Sequence, residues 1–299
     1  MPTTTTPPPL KRDETPPRPS GASHSGSGRV PGRGTLSFEI VAGQTAITRC
    51  RAHAPLKLLT PARPGGAAWV YASTFGGGLV AGDRVDLELH AGPHTTAVLT
   101  TQASTKVFHQ QDGIGAEQRL TATVDQDARL LVLPDPLTCF ADAAYRQTQR
   151  FTLGPTASLV LLDWFTAGRV ASGERWDFAE YRSLNVVTVG GREVVFDQTR
   201  ITADTLSTLG PLCVGGYDVL ANVFLIGPAV SEAAAELRSW VAKQPIRDEA
   251  GYAVGFSPTD WGGVLRLAGR DTQTLTAVLR QRLSFTRSWL GGCAWSRKW

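Results

Sequence analysis

The sequence predicts a mainly β protein, a single β-rich domain with two helices near its C-terminus. Three observations carry that expectation. Between residue 35 and about residue 227, short β-branched and aromatic runs are broken repeatedly by Gly, Pro or Asp. Residues 76–90, GGGLVAGDRVDLELH, pass from a glycine cluster into strict alternation, Val85, Leu87 and Leu89 on one side and Asp86, Glu88 and His90 on the other. Helical periodicity appears only after residue 230.

Taken in order, Thr45–Arg51, Leu56–Leu59 and Ala68–Phe75 read as short strands closed by Pro or Gly. Gly76-x-Gly78-x-x-Ala81 superficially matches a dinucleotide fingerprint, but that motif must open a helix whose N–H groups hold a pyrophosphate. Here a strand, Asp83–His90, follows, so the nucleotide reading fails. The AGPH segment turns the chain into Thr95–Gln102, and Glu117–Val124 and Ala128–Leu133 flank a polar DQD turn. Tyr145–Leu153 alternates Tyr, Gln, Gln and Phe with polar or basic neighbours. Ser158–Phe165 is almost wholly apolar, as in a strand covered on both faces. Arg175–Val189 and Glu193–Arg200 surround a Gly190-Gly191 hairpin turn. Ser231–Lys243, bounded by Pro228 and Pro245, and Asp271–Leu290, with an N-cap Asp and a following Gly291, read as the two helices. About a dozen strands that do not alternate with helices argue against a parallel α/β fold.

Residues 1–33 stand apart. Four consecutive Thr, the run Pro7-Pro8-Pro9 and GASHSGSG carry almost no large apolar side chain, so this segment is expected to be a disordered tail and 34–299 the folded domain. It lacks the apolar core of a secretory signal, and Asp13, Glu14 and its prolines argue against a transit peptide. The tail also explains the basic pI of about 9.0. Five of the chain's 30 basic residues and two of its 26 acidic ones lie there, leaving 25 basic and 24 acidic side chains on the domain. A nucleic-acid binder should carry its excess on the folded part. No apolar run approaches the roughly 20 residues of a membrane span. Cys50, Cys139, Cys213 and Cys293 have no CxxC spacing, which suggests reduced thiols in a cytoplasmic protein rather than a zinc site.

Catalytic marks are scarce. There is no G-x-S-x-G elbow and no phosphate-binding G-x-x-x-x-G-K-[ST] loop. His90 and His94 straddle a turn and either converge on a metal or are exposed turn residues. Four carboxylates have unusual settings: Asp83 after the glycine cluster, Asp135 between two prolines, Asp163 inside LVLLDWF, and Glu174 after Ser172-Gly173. Asp83 and Asp135 are read either as turn residues accepting backbone N–H bonds or as functional groups. For Asp163 and Glu174 the structural alternative is a buried ion pair with Arg169 or Arg175.

Four blocks, GGGLVAGD (76–83), LTTQASTKVF (99–108), LPDP..CF.DA.YRQ (133–147) and DWFTAGRVASGERWDF..Y.S (163–183), resemble the urease accessory proteins of the UreD (UreH) family. Two departures are visible: Ala81 where the family commonly has Gly, and Phe108 where Tyr is frequent. The resemblance implies stacked, helically wound sheets and a non-catalytic scaffold that binds apo-urease and a UreF-like partner. Through that complex it implies a UreG-like GTPase and delivery of nickel along a water-filled passage, with nickel in transit and no permanently bound cofactor. On this reading Asp83, Asp163 and Glu174 are candidate nickel contacts. Thr101, Gln102, Lys106, Asp135, Arg169, Arg175, Trp176 and Tyr181 are candidates for passage or partner contacts, Trp164 for the core. Neither nucleic acid nor membrane is an expected partner. The rival class is a β-rich hydrolase or lyase using Asp83, Asp163 or Glu174 as acid and base.

Overall fold

The computed structural model describes residues 30–61, 65–209, 214, 216–245, 251–293 and 295. Positions 1–29 of the expected tail, Cys213 and Trp299 lie outside the described residues. The chain enters through a hairpin of β1 (Gly32–Val41) and β2 (Gln44–Ala52), then an antiparallel pair, β3 (Leu56–Leu59) and β4 (Ala68–Thr74). A winding section follows: β5 (Arg84–Ala91), β6 (Thr96–Thr101), the two-residue β7 (Lys106–Val107), β8 (Ala116–Val124), β9 (Arg129–Leu133), β10 (Leu137–Cys139), β11 (Ala144–Leu153), β12 (Ser158–Thr166) and β13 (Glu180–Val189). β5, β8, β11 and β13 lie side by side in one sheet, and β6, β9 and β12 in another, every neighbouring pair parallel. Short β7 and β10 pair at one corner.

Each coil therefore lays one strand on each sheet and returns in register above the last. Parallel neighbours need a long connection between them. Here the strand on the opposite sheet supplies it, so no crossover helix is required. β14 (Arg192–Thr202) reverses at Gly190-Gly191 and closes the first sheet, followed by α1 (Ala203–Leu209). β15 (Val219–Ile226), α2 (Ser231–Val241), β16 (Tyr252–Thr259), β17 (Gly262–Gly269), α3 (Thr272–Arg282) and α4 (Arg287–Leu290) complete the second sheet and its cover. The sheet orders are β14-β13-β11-β8-β5-β1-β2 and β16-β17-β15-β12-β9-β6-β4-β3.

Side-chain alternation sorts the core into two layers. On β12, Leu159, Leu161 and Phe165 join the inter-sheet cluster with Leu89, Val124, Phe151 and Val187. Val160, Leu162 and Trp164 point the other way, into a cluster with Ala234 and Leu237 of α2 and Leu275 and Leu279 of α3. All nine residues of β12 are buried, as its apolar run predicts. The molecule is thus a three-layer sandwich: sheet, sheet, helices.

Several elements differ from expectation. β1 begins at Gly32, inside the stretch read as tail, and β16 and β17 were not anticipated. The strand expected from Arg175 starts only at Glu180. Residues 175–179 form a loop in which Trp176 takes φ 62°. The long C-terminal helix is broken: α3 starts on Asp271, whose carboxylate accepts from Thr274 N at 2.7 Å, but ends at Arg282. The Thr286 hydroxyl then donates to Leu283 O at 2.7 Å and Ser288 to Phe285 O at 3.0 Å, local bonds that compete with a continuous helix. At the glycine cluster, a Cβ on Gly78 would lie 2.6 Å from the Phe108 ring and 2.7 Å from Lys106 O, so close approach of two backbones explains that glycine. β5 follows it rather than a helix, in line with rejecting a nucleotide loop.

Leu161 is fully buried between the sheets, so a smaller side chain there leaves a cavity. Leu161→Ala is expected to cost about 2–5 kcal/mol, read as a lower urea midpoint at unchanged m-value.

Candidate functional site

One acidic side chain is sealed inside the apolar inter-sheet layer. Asp163 of β12 faces β8, β11 and β13 of the opposite sheet. Its Oδ2 accepts from Ser183 Oγ at 2.6 Å and Asn185 Nδ2 at 2.7 Å; its Oδ1 accepts from Gln147 Nε2 at 3.1 Å and Tyr181 OH at 3.4 Å. Burial pushes the carboxyl above its ordinary range, while the bonds from Ser183, Asn185 and Gln147 and the nearby Asp197 charge act against and with it respectively. Further side chains hold these donors in place. Gln149 Nε2 donates to Asn185 Oδ1 at 2.9 Å, and the Tyr145 hydroxyl lies 2.5 Å from Gln118 Oε1 and 3.1 Å from Gln147 Oε1. Burial also raises the Tyr145 and Tyr181 phenols well above their usual values.

Strand register explains why these groups meet. In the first sheet one inward row reads Gly34, Leu87, Leu120, Gln149, Asn185, Asp197, and the next reads Gly32, Val85, Gln118, Gln147, Ser183, Thr199. In the second sheet Asp163 lies in a row with Asn222, Arg266 and Gly255. The two first-sheet rows run across the strands and change from apolar to polar along their length. Facing the second-sheet row, they form a polar seam through the sandwich, from Asp163 and Asn185 to Asp197 and Arg266, whose guanidinium donates to Asp197 Oδ1 at 2.5 Å and Asn222 Oδ1 at 3.1 Å.

The near end of the seam opens into a cavity of about 200 Å³, lined by Gln118, Gln147, Gln149, Asp163, Thr101 and Asp135 among others. With a water's share of liquid volume at roughly 30 Å³, it has room for several waters. A wider outer basin of about 790 Å³ lies beyond, lined by Arg169, Arg270, Arg280, Asp218 and Trp295. Ser104, Asp135 and Trp164 line both spaces. At this shared wall, Asp135 N donates to Thr101 Oγ1 at 2.7 Å, Thr101 Oγ1 lies 3.3 Å from Asp135 Oδ2, and Trp164 Nε1 donates to Pro134 O at 2.9 Å.

The residues singled out from sequence separate into groups. Asp163, Asp135, Thr101, Gln102 and Tyr181 collect around the inner cavity and its network, Gln102 at the exposed rim. Asp83 does not join them: its Oδ2 accepts from Val80 N at 3.0 Å in the turn before β5. Glu174 is held by Arg169, whose Nε donates to Oε2 at 2.9 Å, and by Ala141 N at 3.1 Å. The bond from Arg169 lowers the Glu174 carboxyl below its usual range. The ion-pair alternative therefore describes Glu174 but not Asp163, which has hydroxyl and amide partners. Arg175 pairs with Asp218 at 2.5 Å, and Lys106 is exposed on β7. Trp176 is buried against Phe165 and Phe178, and Tyr181 stacks on Phe165 at 3.8 Å, so neither ring is a surface anchor. Trp164 is buried too, as read from the apolar run.

Gln118, Gln147, Gln149, Ser183, Asn185, Asp197, Asn222 and Arg266 were not singled out. A signal existed for two of them: Gln147 and Gln149 share one face of β11 with Tyr145 and Phe151, so two amides had to be buried if the aromatics were. The remaining six become neighbours only through pairing of distant strands. His90 and His94 do not converge. Nε2 of His90 lies 2.8 Å from Asp125 and Nδ1 of His94 3.6 Å from Asp127, each meeting its own end of the DQD turn. Among the described residues no group of three or more His, Cys, Asp or Glu gathers as a metal cage, and no helix is long and apolar enough to cross a membrane.

Asp163 generates a pH signature. Its folded-state value is raised, so over the interval above the ordinary aspartate value the native state keeps a proton that the unfolded chain has lost. Its contribution is then fully present below the unfolded value and is lost as pH rises through the folded one. Asp163→Asn is expected to flatten this limb of the stability–pH curve, measured by urea unfolding at stepped pH. Asp163→Ala, which strands the donors of Ser183, Asn185 and Gln147, is expected to cost about 1–3 kcal/mol at all pH values.

Comparison with known proteins bears on the same residues. The family described as UreD urease accessory protein matches residues 30–299. The chain is 42% identical over 284 residues to a urease accessory protein UreD from Anaeromyxobacter sp. (strain Fw109-5), covering 94% of this chain and 92% of that one. It is 40% identical to a UreD from Sorangium cellulosum (strain So ce56), covering 90% and 84%, and 34% identical to urease accessory protein D from Oryza sativa subsp. indica, covering 87% and 94%. With its blocks at 76–83, 99–108, 133–147 and 163–183 all inside the matched region, the chain belongs to the UreD family of urease accessory proteins.

Proposed function

We propose that this protein is a non-catalytic scaffold of urease maturation that binds apo-urease and a UreF-like partner and offers nickel ions a protected path during GTP-driven assembly. The observation that carries the reading is Asp163, a carboxylate buried between two sheets yet lining a cavity with room for several waters. A fold that needed only rigidity would place an apolar residue there, since burying a charge is costly.

The donor chemistry suits transfer rather than storage. Ni²⁺ stands high in the Irving–Williams order, and a cage of imidazole or thiolate would retain it. The cavity offers oxygen instead: Asp163, Asp135, Thr101 and the carbonyl ends of Gln118, Gln147 and Gln149. A partly hydrated ion exchanges such ligands readily, and each carboxylate lowers the cost of one step. The Thr101–Asp135 contact stands at the boundary between basin and cavity, where entry is controlled. Supporting this role further, the carboxylates of the three candidate nickel contacts do not converge as an acid–base pair: Asp83 serves a turn and Glu174 an ion pair.

The test is reconstitution of urease from apo-enzyme, nickel, bicarbonate, GTP and the other accessory proteins. Omitting this chain is expected to abolish activation. Asp163→Ala is expected to lower the activated fraction by about 10-fold or more while the complex still co-purifies. Glu174→Ala is expected to act less strongly, through loosening of the 169–174 loop at the basin. Normal activation by Asp163→Ala in an intact complex excludes the path.

A further inference from the structure

The far end of the polar seam contains a mismatch between charge and partners. Asp197 on β14 is only 8 % exposed, yet one of its two oxygens, Oδ2, is buried without a hydrogen-bond partner. Its other oxygen takes the Arg266 guanidinium at 2.5 Å. Leaving half of a buried carboxylate bare is costly, and a protein that merely needed an ion pair would satisfy both oxygens.

Three neighbouring facts give the bare oxygen a direction. Asp197 is the cross-strand partner of Asn185, which donates to Asp163, so the two carboxylates flank one amide. Arg266 also bonds the Asn222 side-chain oxygen at 3.1 Å, and Asn222 is the cross-strand partner of Asp163. Asp163, Asn222 and Asp197 thus present oxygen ligands along one short stretch of the seam, with Asn185 between the two carboxylates as a donor, and the Arg266 head group is the cation among them. Arg266 is not locked in. Its side chain is 47% exposed, and the residue beyond it in the row, Gly255, leaves open space: a Cβ there would meet nothing within 4 Å. Gly255 has no positive φ, so its backbone does not demand glycine. What glycine provides is room for the guanidinium to swing toward solvent.

We propose that Asp197 is a second divalent-cation station at the distal end of the seam, and that Arg266 is its resident cation, a latch that an arriving metal ion displaces. The inference rests on the path reading and adds its regulation. At rest the guanidinium neutralises Asp197 and closes the exit, so the seam neither leaks ions nor holds them. An ion advancing past Asp163 competes with it for Asp197, takes the unpartnered oxygen as well, and releases Arg266 over Gly255. Two positive charges replace one, and the oxygen ligands bind weakly enough to pass the ion on.

Equilibrium dialysis of Ni²⁺ against the full chain tests this without urease. Arg266→Gln is expected to bind Ni²⁺ about 10-fold more tightly than the wild type, because the competing cation is gone. The gain is expected to vanish in Arg266→Gln/Asp197→Asn. Binding equal to the wild type in Arg266→Gln, or a gain that survives the second substitution, overturns the proposal. Near-UV circular dichroism checks the fold. Should Arg266→Gln fail to fold, Arg266→Lys, which cannot bridge Asn222 and Asp197 together, must still bind more tightly than the wild type, and equal binding again overturns it. Failure of the path reading registers separately, as unimpaired urease activation by Asp163→Ala, whatever the dialysis shows.

Discussion

Burying one carboxylate between two sheets sets terms for everything around it. In an apolar layer an unaided charge is untenable, so the opposite sheet must deliver donors at the right heights from two neighbouring strands. Ser183 and Asn185 come from β13 and Gln147 from β11, and the parallel register places them side by side. A one-residue slip of β13 would turn Ser183 and Asn185 outward and bring Leu184 and Val186 to Asp163. The network therefore fixes the register of the coils as firmly as the apolar rows do. Stability and the site are enforced by the same bonds.

The winding architecture makes this arrangement economical. Each coil contributes one side chain to every transverse row, so a row can be apolar at one end and polar at the other without disturbing the strands. The row through Phe151 remains apolar from Leu36 to Val195, whereas its neighbour turns polar at Gln149. A polar seam can cross the sandwich while apolar rows beside it keep the sheets together. The helical layer packs on the outer face of the second sheet and leaves the seam untouched.

Much of the fold was legible because it is written in short-range signals. Alternation placed the β5 strand, an unbroken apolar run placed β12 with both faces covered, and the N-cap chemistry of Asp271 started a helix where the structure starts one. The C-terminal break was hidden because Thr286 and Ser288 act through local hydroxyl bonds that hydrophobic period does not report. The winding itself is a long-range property, reached from sequence only through the family resemblance. The site divides likewise. Asp163 was conspicuous as a charge in an apolar run, and Asp83 and Glu174 looked similar by local setting alone. Only pairing of distant strands distinguishes a carboxylate with four buried donors from one that caps a turn. Asn222 and Arg266 come from strands 59 and 103 positions after Asp163, and no local pattern links them.

The reversal of direction at both ends of each sheet has a further consequence. A pile of parallel coils has no natural last member, since its outermost strand offers the template for one more. In the first sheet β2 and β14 run antiparallel to their neighbours, and in the second β3 and the β15–β17–β16 group do the same. Another molecule approaching end to end meets a strand of the wrong polarity for continuing the spiral. The parallel spiral is thereby ended by chain direction, and its coil count is set within a single polypeptide.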